Sequence, residues 1–231
     1  SGHPSRKRMI SFVQSRPQIA NIYIGYNDGS NYLIAAARSQ PTERLEAIGA
    51  PEDTVLLEEI ILRGDREKPL RIRRFLDKYG GTLTSTSDRE VDYDPRSRPW
   101  FKLASDVPNV VRTEVYLFAG SGEPGLTVSK RHSKGVVGVD ITLKDIDKFL
   151  DSEPQAQAGV LAIVSTDGDV LARSSADNKA GTGSHDAVLQ TLQQQVKDPD
   201  HGETEAIDVN GERWITHLST IGLGAGKEEI L

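Results

Sequence analysis

At 231 residues, 36% of them hydrophobic and 27% charged, the chain is long enough for one large domain or two lobes with real cores. Its net charge of −6 argues against a nucleic-acid partner, and the lack of cysteine excludes disulfides, thiolate metal sites and a cysteine nucleophile. No apolar run approaches the ~20 residues that a bilayer-spanning helix needs. Ser1-Gly2-His3 reads as a tag remnant, so the chain is expected to be a piece of a longer protein.

Arg6 to Gln14 is predicted to be a helix, with Met9, Ile10 and Val13 on one face. Ile19–Tyr26, the turn Asn27-Asp28-Gly29-Ser30 and Tyr32–Ala37 form a predicted hairpin. From Pro51, acidic residues in a first turn and the stripe Leu56, Leu57, Ile60, Ile61 predict a second helix, to about Arg63. Leu70–Leu76 and Thr82–Thr86 are predicted strands around Tyr79-Gly80-Gly81. In the run Arg71, Arg73, Arg74, a solvated face is favoured over an anion site.

Thr113–Phe118, Leu126–Arg131 and Val136–Thr142 are three predicted antiparallel strands, the last apolar and central. A helix should follow from Leu143 to Leu150. The polar stretch Glu153–Gly159 is the strongest boundary signal. Beyond it come a hairpin across Thr166-Asp167-Gly168-Asp169, a helix over Ser184–Val196, and a hairpin around Asn210-Gly211. The two units share an order of elements, giving an expected α+β fold with segments 1–18, 19–153 and 154–231.

The densest chemistry lies in Tyr93-Asp94-Pro95-Arg96-Ser97-Arg98-Pro99-Trp100-Phe101. Two prolines fix φ and favour a stiff turn leading into a short helix, Phe101 to Ala104. An arginine fork beside aromatic faces can hold a carboxylate or a cation. An equally open reading makes Trp100 a core anchor with Arg98 snorkelling over it. On the otherwise apolar strand Val136–Ile141, Asp140 is a carboxylate in want of a partner, which a ligand ammonium, a protein arginine or backbone amides could supply.

This nine-residue stretch resembles the signature of double Cache sensor domains, the extracytoplasmic ligand-binding modules of bacterial receptors. Tyr23-Ile24-Gly25-Tyr26 upstream, and Val115–Phe118, Gly125–Ser129 and Gly135–Leu143 downstream, follow in family order. The resemblance implies two stacked PAS-like lobes joined to an N-terminal helix, the first lobe membrane-distal and ligand-binding, the second membrane-proximal. It also implies an inner-membrane receptor whose flanking transmembrane helices are removed here. The cytoplasmic output would be a cyclase, histidine kinase, diguanylate cyclase or chemoreceptor module, with adenylate/guanylate cyclases nearest in style.

In the amino-acid-binding branch, the implied ligand residues are Tyr93, Arg98 and Trp100 for the carboxylate and Tyr116 and Asp140 for the ammonium. Phe101 stands where that branch often has tyrosine, and Phe118 where it offers a polar group. Both line the expected pocket and make it more apolar. The expected partners are a small amino acid or carboxylate, and a second copy of the chain through the N-terminal helix. No cofactor, metal or catalytic residue is expected: the five histidines are scattered, and Gly120–Gly125 lies between strands rather than before a helix. Two competing readings are a periplasmic enzyme using Asp140 and a histidine, and a ligand-free dimerisation domain.

Overall fold

The computed structural model describes residues 2–63, 68–89, 91–153, 159–164, 170–174, 182–195, 204–217, 220–222 and 228–230. The chain divides into two compact units, Ser1–Asp145 and Ile146–Leu231. That division falls inside helix α4 (Leu143–Ser152), a few residues before the polar stretch at 153–159.

The first unit is built on a nine-stranded antiparallel sheet. Its strands in chain order are β1 (Asn21–Tyr26), β2 (Asn31–Ala36), β3 (Leu56–Leu62), β4 (Leu70–Leu76), β5 (Thr82–Asp88), β6 (Val111–Arg112), β7 (Tyr116–Leu117), β8 (Pro124–His132) and β9 (Gly135–Thr142). The sheet order is β5-β4-β3-β2-β1-β9-β8-β6, with β7 also paired to β8. The strand carrying Asp140 is therefore interior, between β1 and β8.

Side chains alternate between the two faces of a strand, so each face has its own cover. On one face, helix α1 (Arg6–Gln14) buries Met9, Ile10 and Val13 against Tyr32, Ile34, Ala36, Leu56 and Leu76. Glu58 is on this face and buried, accepting hydrogen bonds from Tyr32 Oη (2.7 Å), Arg6 Nε (3.1 Å) and Arg74 Nη1 (3.1 Å). Burial alone would raise its carboxyl. The donors outweigh burial and hold it below the usual range.

On the opposite face, the 3₁₀ turn Pro95–Ser97 and helix α3 (Pro99–Ser105) cover β8 and β9. Trp100, Phe101 and Ala104 pack there against Tyr23 and Val136. Gly25 lets this turn close on β1: a β-carbon there would come within 2.6 Å of the Trp100 ring.

The helix expected from Pro51 is strand β3. Its stripe looked helical because both faces of the sheet are covered. Leu56, Glu58 and Ile60 point to α1 while Leu57, Glu59 and Ile61 point away, so apolar residues and glutamates come in adjacent pairs instead of alternating. The helix of this region is α2, Thr42–Ala47, introduced by Pro41 and followed by Gly49. The strand expected over Thr113–Phe118 shrinks to β7, Tyr116–Leu117, and a separate short strand, β6, precedes the expected span at Val111–Arg112. Between them the Thr113 hydroxyl accepts the Thr127 amide (2.9 Å) in place of a ladder carbonyl.

The second unit holds β10 (Ala162–Val164), β11 (Val170–Arg173), helix α5 (Thr182–Gln195) and β12 (Thr204–Val209). It continues with β13 (Glu212–His217), β14 (Thr220–Gly222) and β15 (Glu228–Ile230). β11-β10-β15-β14 form one sheet, and β12-β13 pair around Asn210-Gly211 as the turn residues predict. The expected turn at 166–169 and the last residue of the expected helix, Val196, lie outside the described residues. Among the described residues, no helix is long and apolar enough to cross a membrane.

Candidate functional site

A cavity of about 430 Å³ opens on the face of the first unit's sheet that α3 partly covers. Its floor follows the strand register: Asp140 on β9 faces Asn21 on β1, which faces Ala35 on β2 and then Leu57 on β3. One row along, Tyr23, Leu33, Glu59 and Arg73 line up in the same way. The wall comes from the turn before α3, which brings Tyr93, Arg98 and Trp100, and from the segment leading into β8, which brings Tyr116 and Phe118.

Asp140 is only 5% exposed. Tyr23 Oη (2.5 Å) and Thr127 Oγ1 (2.6 Å) donate to its Oδ1, and Asn21 Nδ2 (2.9 Å) donates to its Oδ2. The Thr127 hydroxyl has one proton and gives it to Asp140. Tyr116 Oη, 2.7 Å from Thr127 Oγ1, must then donate to it, completing a relay that ends on the carboxylate. An ionised carboxyl offers about four acceptor positions. Three are used, and the residue still lines open space. Burial raises the Asp140 carboxyl to about 6, against the three hydrogen bonds and the Arg98 guanidinium, which lower it. Burial and the nearby Asp140 also raise the phenols of Tyr23 and Tyr93, and push that of Tyr116 to about 12, so all three are protonated donors at neutral pH.

Tyr23 can lean across to Asp140 because its register partner on β9 is Gly138. A β-carbon at 138 would overlap the Tyr23 ring. The ring also meets Trp100 edge-on, with centroids 4.7 Å apart.

The signature turn positions Arg98 by using its other charges on itself. Asp94 caps the turn by accepting the Arg96 amide (3.0 Å), and the Arg96 guanidinium clamps the same carboxylate (2.7 Å). Arg63 Nη2 ties down the Tyr93 carbonyl (2.9 Å). Arg98 follows in extended geometry at the N-terminus of α3 and lines the cavity. Among the described residues its guanidinium has no ion-pair partner, and it is not bonded to Asp140.

Six of the seven residues singled out from the sequence therefore meet at one cavity: Tyr93, Arg98, Trp100, Tyr116, Phe118 and Asp140. Phe101 does not line it. It sits one position further along α3, where its ring packs edge-on against Trp100 in the core. Arg71 and Arg73 are not a solvated face. They line the cavity and pair with Glu59 (3.4 and 3.0 Å) and Asp88 (3.9 and 3.3 Å), whereas Arg74 points to the other face and Glu58. The strict alternation Arg71, Arg73, Phe75 was the available signal. Arg44, on α2, also lines the cavity, and its only sequence hint was the Pro41 and Gly49 bracket around a short helix. Among the described residues, none of the hydrogen bonds to Asp140 comes from a histidine.

No protein-family model matches the chain. Among curated proteins it is similar to Adenylate cyclase 1 of Rhizobium meliloti (strain 1021), 23% identical over 224 residues, 90% of this chain and 33% of that protein. It is also similar to the methyl-accepting chemotaxis protein PctB of Pseudomonas aeruginosa, 29% identical over 189 residues, 71% of this chain and 28% of that protein. The chemotaxis protein PscA of Pseudomonas syringae pv. tomato is 35% identical over 89 residues, 36% of this chain and 14% of that protein. The chain thus spans a third or less of the length of these relatives. Among solved structures, the ligand-binding domain of the Campylobacter jejuni chemoreceptor Tlp3, crystallised with L-norvaline, aligns with a TM-score of 0.50 at 15% identity. The alignment covers 98% of this chain and 68% of that one. The chain has the fold of a double Cache sensor domain, as its signature implied. Its relatives by sequence are chemotaxis receptors and a cyclase.

Proposed function

We propose that the chain is the extracytoplasmic sensor domain of a membrane-bound signalling receptor and that the cavity of its first unit binds an α-amino acid. The observation that carries this reading is the separation of charge. Arg98 and Asp140 both line the cavity, neither neutralises the other, and Asp140 keeps an acceptor position open. A zwitterion complements that arrangement. Its carboxylate meets the Arg98 fork beside Tyr93 and Trp100, and its ammonium meets Asp140 within reach of Tyr116. The Tlp3 structure with L-norvaline agrees with this use of the fold.

In this reading the first unit is the membrane-distal, ligand-binding lobe and the second the membrane-proximal one. Binding favours one of two arrangements of the receptor and so reaches a cytoplasmic output, since only differential affinity can move such an equilibrium. Whether that output is a cyclase, a kinase or a chemoreceptor module is read from the rest of the gene. Dimerisation through the exposed face of α1 belongs to the same proposal, and light scattering on the intact receptor tests it.

The site is tested by isothermal titration of the wild type and Arg98→Ala against a panel of L-amino acids. At least one amino acid should bind the wild type, and Arg98→Ala should weaken it at least thirtyfold. Equal binding by both proteins overturns the assignment.

A further inference from the structure

The strand register puts Asp140 and the Arg71/Arg73 pair at opposite ends of the cavity floor. β9 and β4 are four strand positions apart, about 19 Å at ~4.8 Å per strand. A ligand α-carbon with its two charged groups occupies the Asp140–Arg98 end. The remaining length is left for the side chain, and Arg44, Arg71 and Arg73 line it together with Glu59.

Asp92 and Asp94 also line the cavity, from the segment that carries Tyr93, and Asp94 is held by Arg96. Glu59 is shared by Arg71 and Arg73, and so is Asp88, which leaves those two arginines matched by two carboxylates. Arg44 differs from them in having no such pair among the described residues. It lines the cavity from α2, its guanidinium lies against the backbone at Gly120, and its buried Nε has no hydrogen-bond partner. Burial lowers its pKa, opposed by Glu59 and assisted by Arg73 and Arg71. A half-buried guanidinium that lines open volume without an ion pair, and whose Nε has no hydrogen-bond partner, lacks an anion.

We infer that this end of the cavity is a second anion subsite, and that the ligand is an amino acid whose side chain ends in a carboxylate received by Arg44. The inference rests on the amino-acid reading above and narrows it to the acidic class. Arg and carboxylate match as a planar fork, so a carboxylate should be preferred to the amide of the same shape.

Titration calorimetry of the wild type with L-glutamate against L-glutamine, and L-aspartate against L-asparagine, needs no variant. At least one acid should bind ten times or more tighter than its amide. In Arg44→Gln the acid-to-amide affinity ratio should fall below about three. A wild type that binds the amide or an apolar amino acid as tightly as the acid overturns the inference and leaves the amino-acid reading standing. So does an Arg44→Gln ratio equal to that of the wild type. If no amino acid binds the wild type, or if Arg98→Ala and Asp140→Asn bind as well as it does, the broader reading falls and this one with it.

Discussion

Replacing Asp140 by Asn should make the free protein more stable while removing its ligand. Burial raises the Asp140 carboxyl to about 6, against about 3.9 in an unfolded chain. Between those values the folded state holds a proton that the unfolded state has released. Stability from this group therefore falls as pH rises from about 4 to about 6, and stays flat above. At neutral pH the ionised carboxylate costs the fold about 3 kcal/mol. Asn carries no such cost, but its amide NH₂ would face the Asn21 amide that now donates to Oδ2. Asn21 can turn over only by giving up Gln40, whose Nε2 is 3.3 Å from its Oδ1. Losing one hydrogen bond costs about 1 kcal/mol. The net gain is about 1–2 kcal/mol at pH 7, roughly 2–8 °C in Tm for a chain of this size.

The assay is chemical denaturation of wild type and variant from pH 4 to pH 8, with calorimetric titration of the ligand at pH 7. The difference in stability between the two proteins should open across pH 4–6, and affinity should drop at least a hundredfold. A variant less stable than wild type at pH 7 by more than about 2 kcal/mol would refute the reasoning, because Asp140 would then be a structural anchor. Unchanged affinity would refute it from the other side.

Ligand binding to the wild type should weaken below pH 6, because an ammonium prefers the ionised Asp140; with the carboxyl at about 6, affinity at pH 5 should be about tenfold lower than at pH 7. Calorimetry at the two pH values checks it. Gly138→Ala should displace Tyr23 and break its bond to Asp140, costing about 1–3 kcal/mol by denaturation. It should weaken the ligand too. Glu58→Ala strips the partner shared by Arg6 and Arg74 on the α1 face and should cost about 3–5 kcal/mol. Since the Glu58 carboxyl is held below its usual value, the stability it adds is present above about 4.3 and is lost as pH falls through the folded value. A denaturation series from pH 7 to pH 3 should show that loss in the wild type only.

Local chemistry was legible in the sequence wherever a short stretch decides its own shape. The prolines and Asx turns from Tyr93 to Pro99 specify a stiff turn into a helix, and the hairpins at 27–30 and 210–211 follow from their turn residues. Asp140 stood out because a carboxylate among Val136, Val137, Val139 and Ile141 must find partners. The rest required the folded sheet. Leu56–Leu62 is a strand because β2 and β4 pair with it and both faces are covered, which erases the period-two pattern that marks a one-sided strand. Arg71 and Arg73 reach the cavity through strand pairings between distant segments, and Arg44 reaches it from α2. Only those pairings decide which side of each strand or helix faces the cavity, because which face is inward is a property of register and packing, to which no single stretch of chain has access.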